Sequence, residues 1–95
     1  MDNIYKLSIQ QYSSNVVEKA IEILDGEYRT KITQALYFEG HFLNLLKNKF
    51  GRYVLYKAVN YMNYRQKLDL KNQLISNINN DKNIIKKFLI KLKYN

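Results

Sequence analysis

The sequence predicts an all-α fold, organised as an α-solenoid of helical repeats, from three observations. Apolar residues recur at helical spacing along almost the whole chain, and no strand-like alternation persists. The 95 residues include no proline and only three glycines, which suits helices joined by short connections. A shift of 38 residues, which carries Lys19 onto Lys57, also lays the segment QYSSNVVEKAIE over KFGRYVLYKAVN. An internal repeat of this length is typical of solenoids.

We expect five helices, over about residues 7–24, 27–37, 42–62, 64–78 and 82–93. Gly26 and Gly40 are expected helix terminators, since glycine tolerates the left-handed dihedrals that commonly follow a helix. The helices then form two copies of a helix pair, residues 1–38 and 39–78, followed by a terminal helix in residues 79–95. Such a helix is expected to cap the last repeat, because solenoids need their open ends covered.

A helical wheel divides the first long helix of each copy into an apolar and a polar arc. The apolar arcs, which we expect to form the core, contain Val16, Val17, Ala20, Ile21 and Leu24 in the first copy and Val54, Leu55, Ala58, Val59 and Met62 in the second. The polar arcs contain Ser14, Asn15, Glu18, Lys19 and Glu22, and then Arg52, Tyr53, Tyr56, Lys57 and Asn60. Because the apolar arcs are needed for packing, function is expected on the polar arcs.

The charge balance predicts a polyanionic partner. The chain has 16 Lys plus Arg against 8 Asp plus Glu, a net charge of +8, which favours nucleic acid first and an anionic membrane surface second. A merely solvated basic surface is the alternative. The basic apolar run over 84–92 is too short and too lysine-rich to span a bilayer, and the first residues do not resemble a signal peptide.

Catalytic and metal-binding patterns are missing from the sequence. There is no cysteine, so neither a disulfide framework nor a thiolate metal site is expected, which fits the cytosol or the nucleus. The carboxylates lack paired spacing, and no Gly-rich phosphate loop or nucleophile motif is found. His41, the only histidine, is expected to be a turn residue rather than a ligand. We therefore expect no enzyme and no cofactor.

The repeated segments resemble a known family. SNVVEK, residues 14–19, resembles the RNA-reading helix of a PUF (Pumilio-family) repeat, and is most similar to the penultimate repeat of that domain. KFGRYVLYK, residues 49–57, resembles the last repeat, and IIKKFLIKLKY, residues 84–94, loosely resembles the terminal capping helix. The resemblance implies the C-terminal quarter of an eight-repeat domain that binds single-stranded RNA, recognises mRNA 3′ untranslated regions and regulates translation or decay.

The resemblance also implies a role for each side chain in the first copy. In this family each repeat reads one base with two side chains one turn apart, and the residue after the first stacks between bases. Ser14 and Glu18 would then read the base edge and Asn15 would stack, with guanine as the implied base. The chemistry agrees, because guanine presents two adjacent donors and a carboxylate offers only acceptors.

The second copy departs from the family pattern of Asn, Tyr and Gln, which reads uracil. Here Tyr53 keeps the stacking role, Arg52 could stack or hold a phosphate, and Tyr56 could offer its hydroxyl. We expect RNA binding at this repeat with weak or altered base preference. Lys19 and Lys57 are expected contacts to the RNA backbone.

Other interpretations stay open. A helical-repeat module could bind protein instead, or could contact RNA without sequence preference in ribosome assembly, which would place it in the nucleolus. The basic terminal helix could lie on a membrane surface. Because each repeat buries its face on its neighbours, we also expect an uncovered apolar edge at the N-terminal helix. Further PUF repeats or a self-association partner would cover that edge.

Overall fold

The computed structural model describes residues 2–37, 41–77, 79 and 81–94, and this part of the chain contains helices and turns without a strand. The all-α prediction is therefore confirmed. In chain order the helices are α1 (Asp2–Ser8), α2 (Ser13–Ile23), α3 (Gly26–Tyr37), α4 (His41–Lys47), α5 (Gly51–Tyr61), α6 (Tyr64–Ser76) and α7 (Lys82–Tyr94).

Within the described residues each repeat contains three helices rather than the expected pair, so the predicted helices over 7–24 and 42–62 were wrong. In the first repeat, α1 and α2 are separated by a turn whose hydroxyl groups bond to the backbone. The Ser8 hydroxyl donates to the Ile4 carbonyl at 2.6 Å, and the Ser13 hydroxyl donates to the Leu7 carbonyl at 2.7 Å. The Ser8 bond is one that a helix accommodates. The Ser13 bond joins groups six residues apart, which a continuous helix would keep separate, so this bond holds the turn although the apolar spacing continues.

An asparagine makes the equivalent break in the second repeat. The side-chain oxygen of Asn48 accepts from the backbone N–H groups of Phe50 and Gly51, both at 2.8 Å, where α5 begins. The backbone is tightly packed here, since a Cβ atom on Gly51 would lie 3.1 Å from both Cα and the carbonyl oxygen of Leu45. Local hydrogen bonds and a close backbone approach therefore set the α4–α5 turn.

Helix α2 lies against α5, and one hydrophobic core runs through both repeats. The apolar arc predicted for the second copy is confirmed, because Val54, Leu55, Ala58, Val59 and Met62 are all buried. Polar contacts join the repeats as well. The Gln66 amide on α6 donates to the Thr33 hydroxyl on α3 at 2.9 Å, and the repeats are thereby held in a fixed relation.

The apolar arc predicted for the first copy is only partly correct. Val17 and Ile21 are buried, but Val16 is 66% exposed, Leu24 is exposed and Ala20 is half-buried. The corresponding residues of the second repeat are buried because α2 covers α5, whereas no described helix covers the outer side of α2. The N-terminal edge, defined here by the exposed side chains of Tyr12, Val16, Ile23 and Tyr28, is therefore the uncovered apolar surface expected from the sequence.

Helix α7 packs on the last repeat through Ile85 and Phe88, which are buried. An ion pair of 3.0 Å between Lys47 on α4 and Asp81, just before α7, ties the two elements together. These contacts fit the predicted cap. The side chain of Leu92, the last residue of the apolar run over 84–92, lies outside the described residues. No helix in the described ranges has the length and apolar character needed to cross a bilayer.

Two predictions about the connections can be compared with the structure. Gly26 adopts the left-handed φ of 55° where α2 gives way to α3, as expected. Gly40 lies outside the described residues. The expectation that His41 is a turn residue was wrong, because His41 begins α4. Its ring stacks on Tyr5 of α1 with a centroid separation of 4.2 Å. The histidine thus joins the first helices of the two repeats.

Candidate nucleic-acid interface

The polar sides of α2 and α5 meet in an open groove of about 340 Å³. We call it the α2–α5 groove, and its lining residues are Glu18, Tyr53, Tyr56, Lys57, Asn60 and Lys91. Four of the eight predicted site residues are among them. The α5 members follow helical spacing, so successive turns of one helix form one wall. The volume is within the range of about 300–1,000 Å³ that is usual for ligand sites.

Glu18 supplies the groove with a carboxylate that is available to a ligand. Its side chain is half-buried, and among the described residues it makes no ion pair and no side-chain hydrogen bond. Glu22, one turn further along α2, lies 4.0 Å from the ammonium groups of both Lys19 and Lys57. Lys19 and Lys57 therefore pair with Glu22, and the acceptor oxygens of Glu18 stay open.

The two tyrosines of the groove differ in what they can offer. Tyr53 is 58% exposed and meets Tyr56 edge-on, with centroids 5.9 Å apart. The Tyr56 ring is packed, because it stacks on Phe88 at 5.8 Å and has the Lys91 ammonium 4.2 Å from its centroid. Tyr53 can therefore stack on a base, while Tyr56 is better placed to offer its hydroxyl.

Ser14 and Arg52, the predicted first readers of the two repeats, do not line the groove. Ser14 is only 3% exposed, and its hydroxyl donates to the Gln11 carbonyl at 3.2 Å. The Arg52 Nε donates to the Asn48 carbonyl at 3.3 Å, which holds the guanidinium group of Arg52 against the α4–α5 turn. The position of Ser14 does not favour base reading in this conformation.

Asn15 and Lys19 also lie outside the groove, although both are exposed on α2. Because both side chains are exposed, a ligand that extends beyond the groove could contact them. The stacking role of Asn15 and the backbone contact of Lys19 stay predictions, as do the roles of Ser14 and Arg52.

Sequence reasoning missed two groove residues. Asn60 follows Tyr56 by one turn on the polar arc of α5, so its spacing was a usable signal. Lys91 belongs to α7, and only the docking of that helix brings it to the groove. The one indication in the sequence is that Lys91 lies three residues after Phe88, a core residue of α7.

The described residues contain no cluster of three or more His, Cys, Asp or Glu side chains suited to a metal ion. Burial raises the pKa of Tyr37, the Asp69 carboxylate raises it further and a hydrogen bond with Gln66 opposes the change. Tyr37 lies on α3, outside the groove, so the groove chemistry does not depend on it.

Comparison with known proteins gives a consistent match to one family. The model of the Pumilio-family RNA binding repeat matches residues 3–36 and 41–76, which correspond to α1–α3 and α4–α6. The chain is 34% identical over 64 residues to Pumilio domain-containing protein C6G9.14 of Schizosaccharomyces pombe, covering 67% of this chain and 9% of that protein. It is 35% identical over 57 residues to Pumilio homolog 12 of Arabidopsis thaliana, covering 60% and 10%.

The chain spans about a tenth of the length of these curated relatives. No solved structure gives a significant match.

Proposed function

Because the chain belongs to the Pumilio family of RNA-binding repeat proteins, we propose that it binds single-stranded RNA in the α2–α5 groove and reads a guanine there with Glu18. One observation carries the proposal. The carboxylate of Glu18, without an ion-pair partner in the described chain, lines the same groove as the exposed Tyr53 ring and two lysines. A half-buried acceptor beside an aromatic face, within a protein of net charge +8, suits a base rather than a phosphate.

The mechanism assigns one part of the nucleotide to each groove residue. The ring N–H and exocyclic amino group of guanine donate to the two carboxylate oxygens of Glu18. The base stacks on Tyr53, a contact worth roughly 1–3 kcal/mol per base. Lys57 attracts the phosphate backbone, and its position 4.0 Å from Glu22 keeps its ammonium group near the groove. Since Ser14 is buried, Glu18 is the principal reader of the first repeat.

The second repeat has a weaker base preference in this proposal. Tyr56 presents a hydroxyl, which can donate or accept and therefore discriminates poorly between bases. Arg52 is held at the turn through Asn48 and contacts the backbone of the RNA rather than a base edge.

We extend the proposal to the biological role implied by the family resemblance. The chain would act in the cytoplasm on mRNA 3′ untranslated regions and affect translation or decay. Two repeats read two nucleotides, which carry too little information to select a transcript. Further repeats, or a self-association partner on the N-terminal edge, would supply the remaining specificity.

Fluorescence anisotropy with short labelled single-stranded RNAs tests the proposal. The RNAs are identical except at one position, which holds G, A, U or C. We expect the wild-type protein to prefer G, and Glu18→Gln to lose roughly 1–3 kcal/mol of that discrimination, because an amide replaces one acceptor by a donor. Glu27→Gln is the matched control, since Glu27 is exposed, pairs with Lys31 at 3.0 Å and lies away from the groove.

The outcomes separate the alternatives. Equal, salt-sensitive binding to all four RNAs would contradict base reading and favour generic RNA contact, as in ribosome assembly. No binding to any RNA would favour the protein-interaction module. If both glutamine variants lost discrimination equally, the effect would belong to net charge and not to Glu18.

A further inference from the structure

The groove has a wall that does not belong to either repeat. Helix α7 covers the end of the second repeat, and the buried Phe88 stacks on Tyr56 with centroids 5.8 Å apart and an angle of 18° between the rings. One turn later Lys91 reaches the same tyrosine, with its ammonium 4.2 Å from the ring centroid. The packing of Phe88 thus fixes the side of α7 that carries Lys91 at the groove.

Lys91 differs from the other cations near the groove in its electrostatic environment. Lys19 and Lys57 each lie 4.0 Å from the Glu22 carboxylate. Lys91 is exposed, and within the described residues no carboxylate lies within ion-pair distance of it. Its contact with the Tyr56 ring positions the ammonium group without neutralising it. At its α7 end the groove therefore has a positive charge that no carboxylate of the described residues pairs with.

We infer that α7 is part of the RNA-binding surface, and that Lys91 binds a phosphate of the nucleotide that stacks on Tyr53. This inference rests on the proposed function of the groove. An ammonium group is a point charge with donors only, which suits a phosphate oxygen and cannot accept from a base. Glu18 occupies the base-edge role within the same groove, so the two charges act on different parts of one nucleotide.

An acidic peptide fits the groove less well than RNA. The Glu18 carboxylate would repel its side chains, and the exposed face of Tyr53 would have no planar partner. A nucleotide uses all three features, because it has a donor edge, a flat face and a phosphate. Helix α7 is then both the cap of the solenoid and a contact for the RNA chain.

The test measures RNA affinity of the whole chain between about 50 and about 200 mM salt, with one labelled single-stranded RNA containing G and one lacking it. We expect Lys91→Gln to weaken binding roughly two- to fivefold, as for an exposed ion pair, and equally for both RNAs. The slope of log affinity against log salt should fall by about 0.7, the value for one phosphate on a single strand. Lys91→Arg, which keeps the charge, should bind like the wild type.

Lys86→Gln is the matched control, because Lys86 is an exposed lysine about 140° away around α7 and does not line the groove. Equal losses for Lys86→Gln and Lys91→Gln would overturn the inference and leave base reading by Glu18 intact. A loss confined to the RNA with G would also overturn it, since Lys91 would then contact the base. Absence of RNA binding by the wild-type protein would overturn both proposals. Circular dichroism melts establish that the variants are folded.

Discussion

Replacing Val54 and Val16 separately by alanine compares one position of the repeat in two environments. The residues correspond across the 38-residue shift, and each lies in the second helix of its repeat. Val54 is 0% exposed beneath α2, whereas Val16 is 66% exposed on the N-terminal edge. The chemical change is identical, so a difference in stability reports on the different burial of the two positions.

The structure sets the expected magnitudes. Removing two buried methyl groups at Val54 costs about 1.6 kcal/mol of transfer free energy. A cavity term of about 1 kcal/mol adds to this, and the better helix propensity of alanine returns about 0.5 kcal/mol. Val54→Ala should therefore lower the free energy of unfolding by about 2 kcal/mol. At Val16 only about a third of the transfer term applies and no cavity forms, so the propensity gain leaves the stability nearly unchanged.

Urea unfolding followed by circular dichroism measures both values, provided the transition is cooperative and its slope is unchanged. The measurement is repeated after dilution of the protein, because self-association on the N-terminal edge would make stability depend on concentration. Equal losses for the two variants would refute the reasoning, since the outer side of α2 would then be covered in solution. A negligible loss for Val54→Ala would contradict the packing of α2 on α5 described above.

Two further predictions concern packing and pH. Gly51→Ala should lower the melting temperature, with a cost of about 1–3 kcal/mol that exceeds the gain in helix propensity, because its Cβ would lie 3.1 Å from the backbone of Leu45; a higher melting temperature would contradict this. In the folded protein the pKa of Tyr37 lies above its ordinary value of 10.0, because burial and the charge of Asp69 raise it. A hydrogen bond with Gln66 acts in the opposite direction. The folded state holds this proton more tightly, so the associated stability is complete below about pH 10 and is lost as the pH rises through the folded-state pKa. Urea titrations at alkaline pH should show a shallower loss for Tyr37→Phe than for the wild type, and an equally steep loss would exclude Tyr37 as the source.

The helix boundaries depend on local hydrogen bonds that the spacing of apolar residues does not reveal. Apolar spacing continues through the turns after Ser8 and Asn48, so a wheel predicts one long helix in each repeat. The observed turns depend on the side chains of Ser13 and Asn48, which bond to nearby backbone groups. Ser and Asn are frequent at helix starts, and this preference was a usable signal. A residue that can cap a helix produces a turn only where the two shorter helices can pack. The periodicity of apolar residues gives no information about that packing.

Some residues of the candidate site could likewise be predicted from the sequence, and others could not. Glu18, Tyr53, Tyr56 and Lys57 could be chosen from sequence because they lie on the polar arcs and match positions to which the family resemblance assigns RNA contacts, and the groove brings them together. The groove could not be extended to Lys91 by the same reasoning. Its separation from Tyr56 along the chain is bridged only by the stacking of α7 on the last repeat.

Sequence alone determined that this chain is helical, that its pattern repeats after 38 residues, and that each repeat has one apolar and one polar arc. Those features follow from side-chain spacing and need no knowledge of distant contacts. The tertiary structure decided which members of an arc are covered. Val16 and Val54 share a place in the repeat, and Ser14 and Arg52 share another, yet their burial differs because each position takes its environment from the helix packed beside it. Burial depends on neighbouring helices, and no described helix covers the outer side of α2.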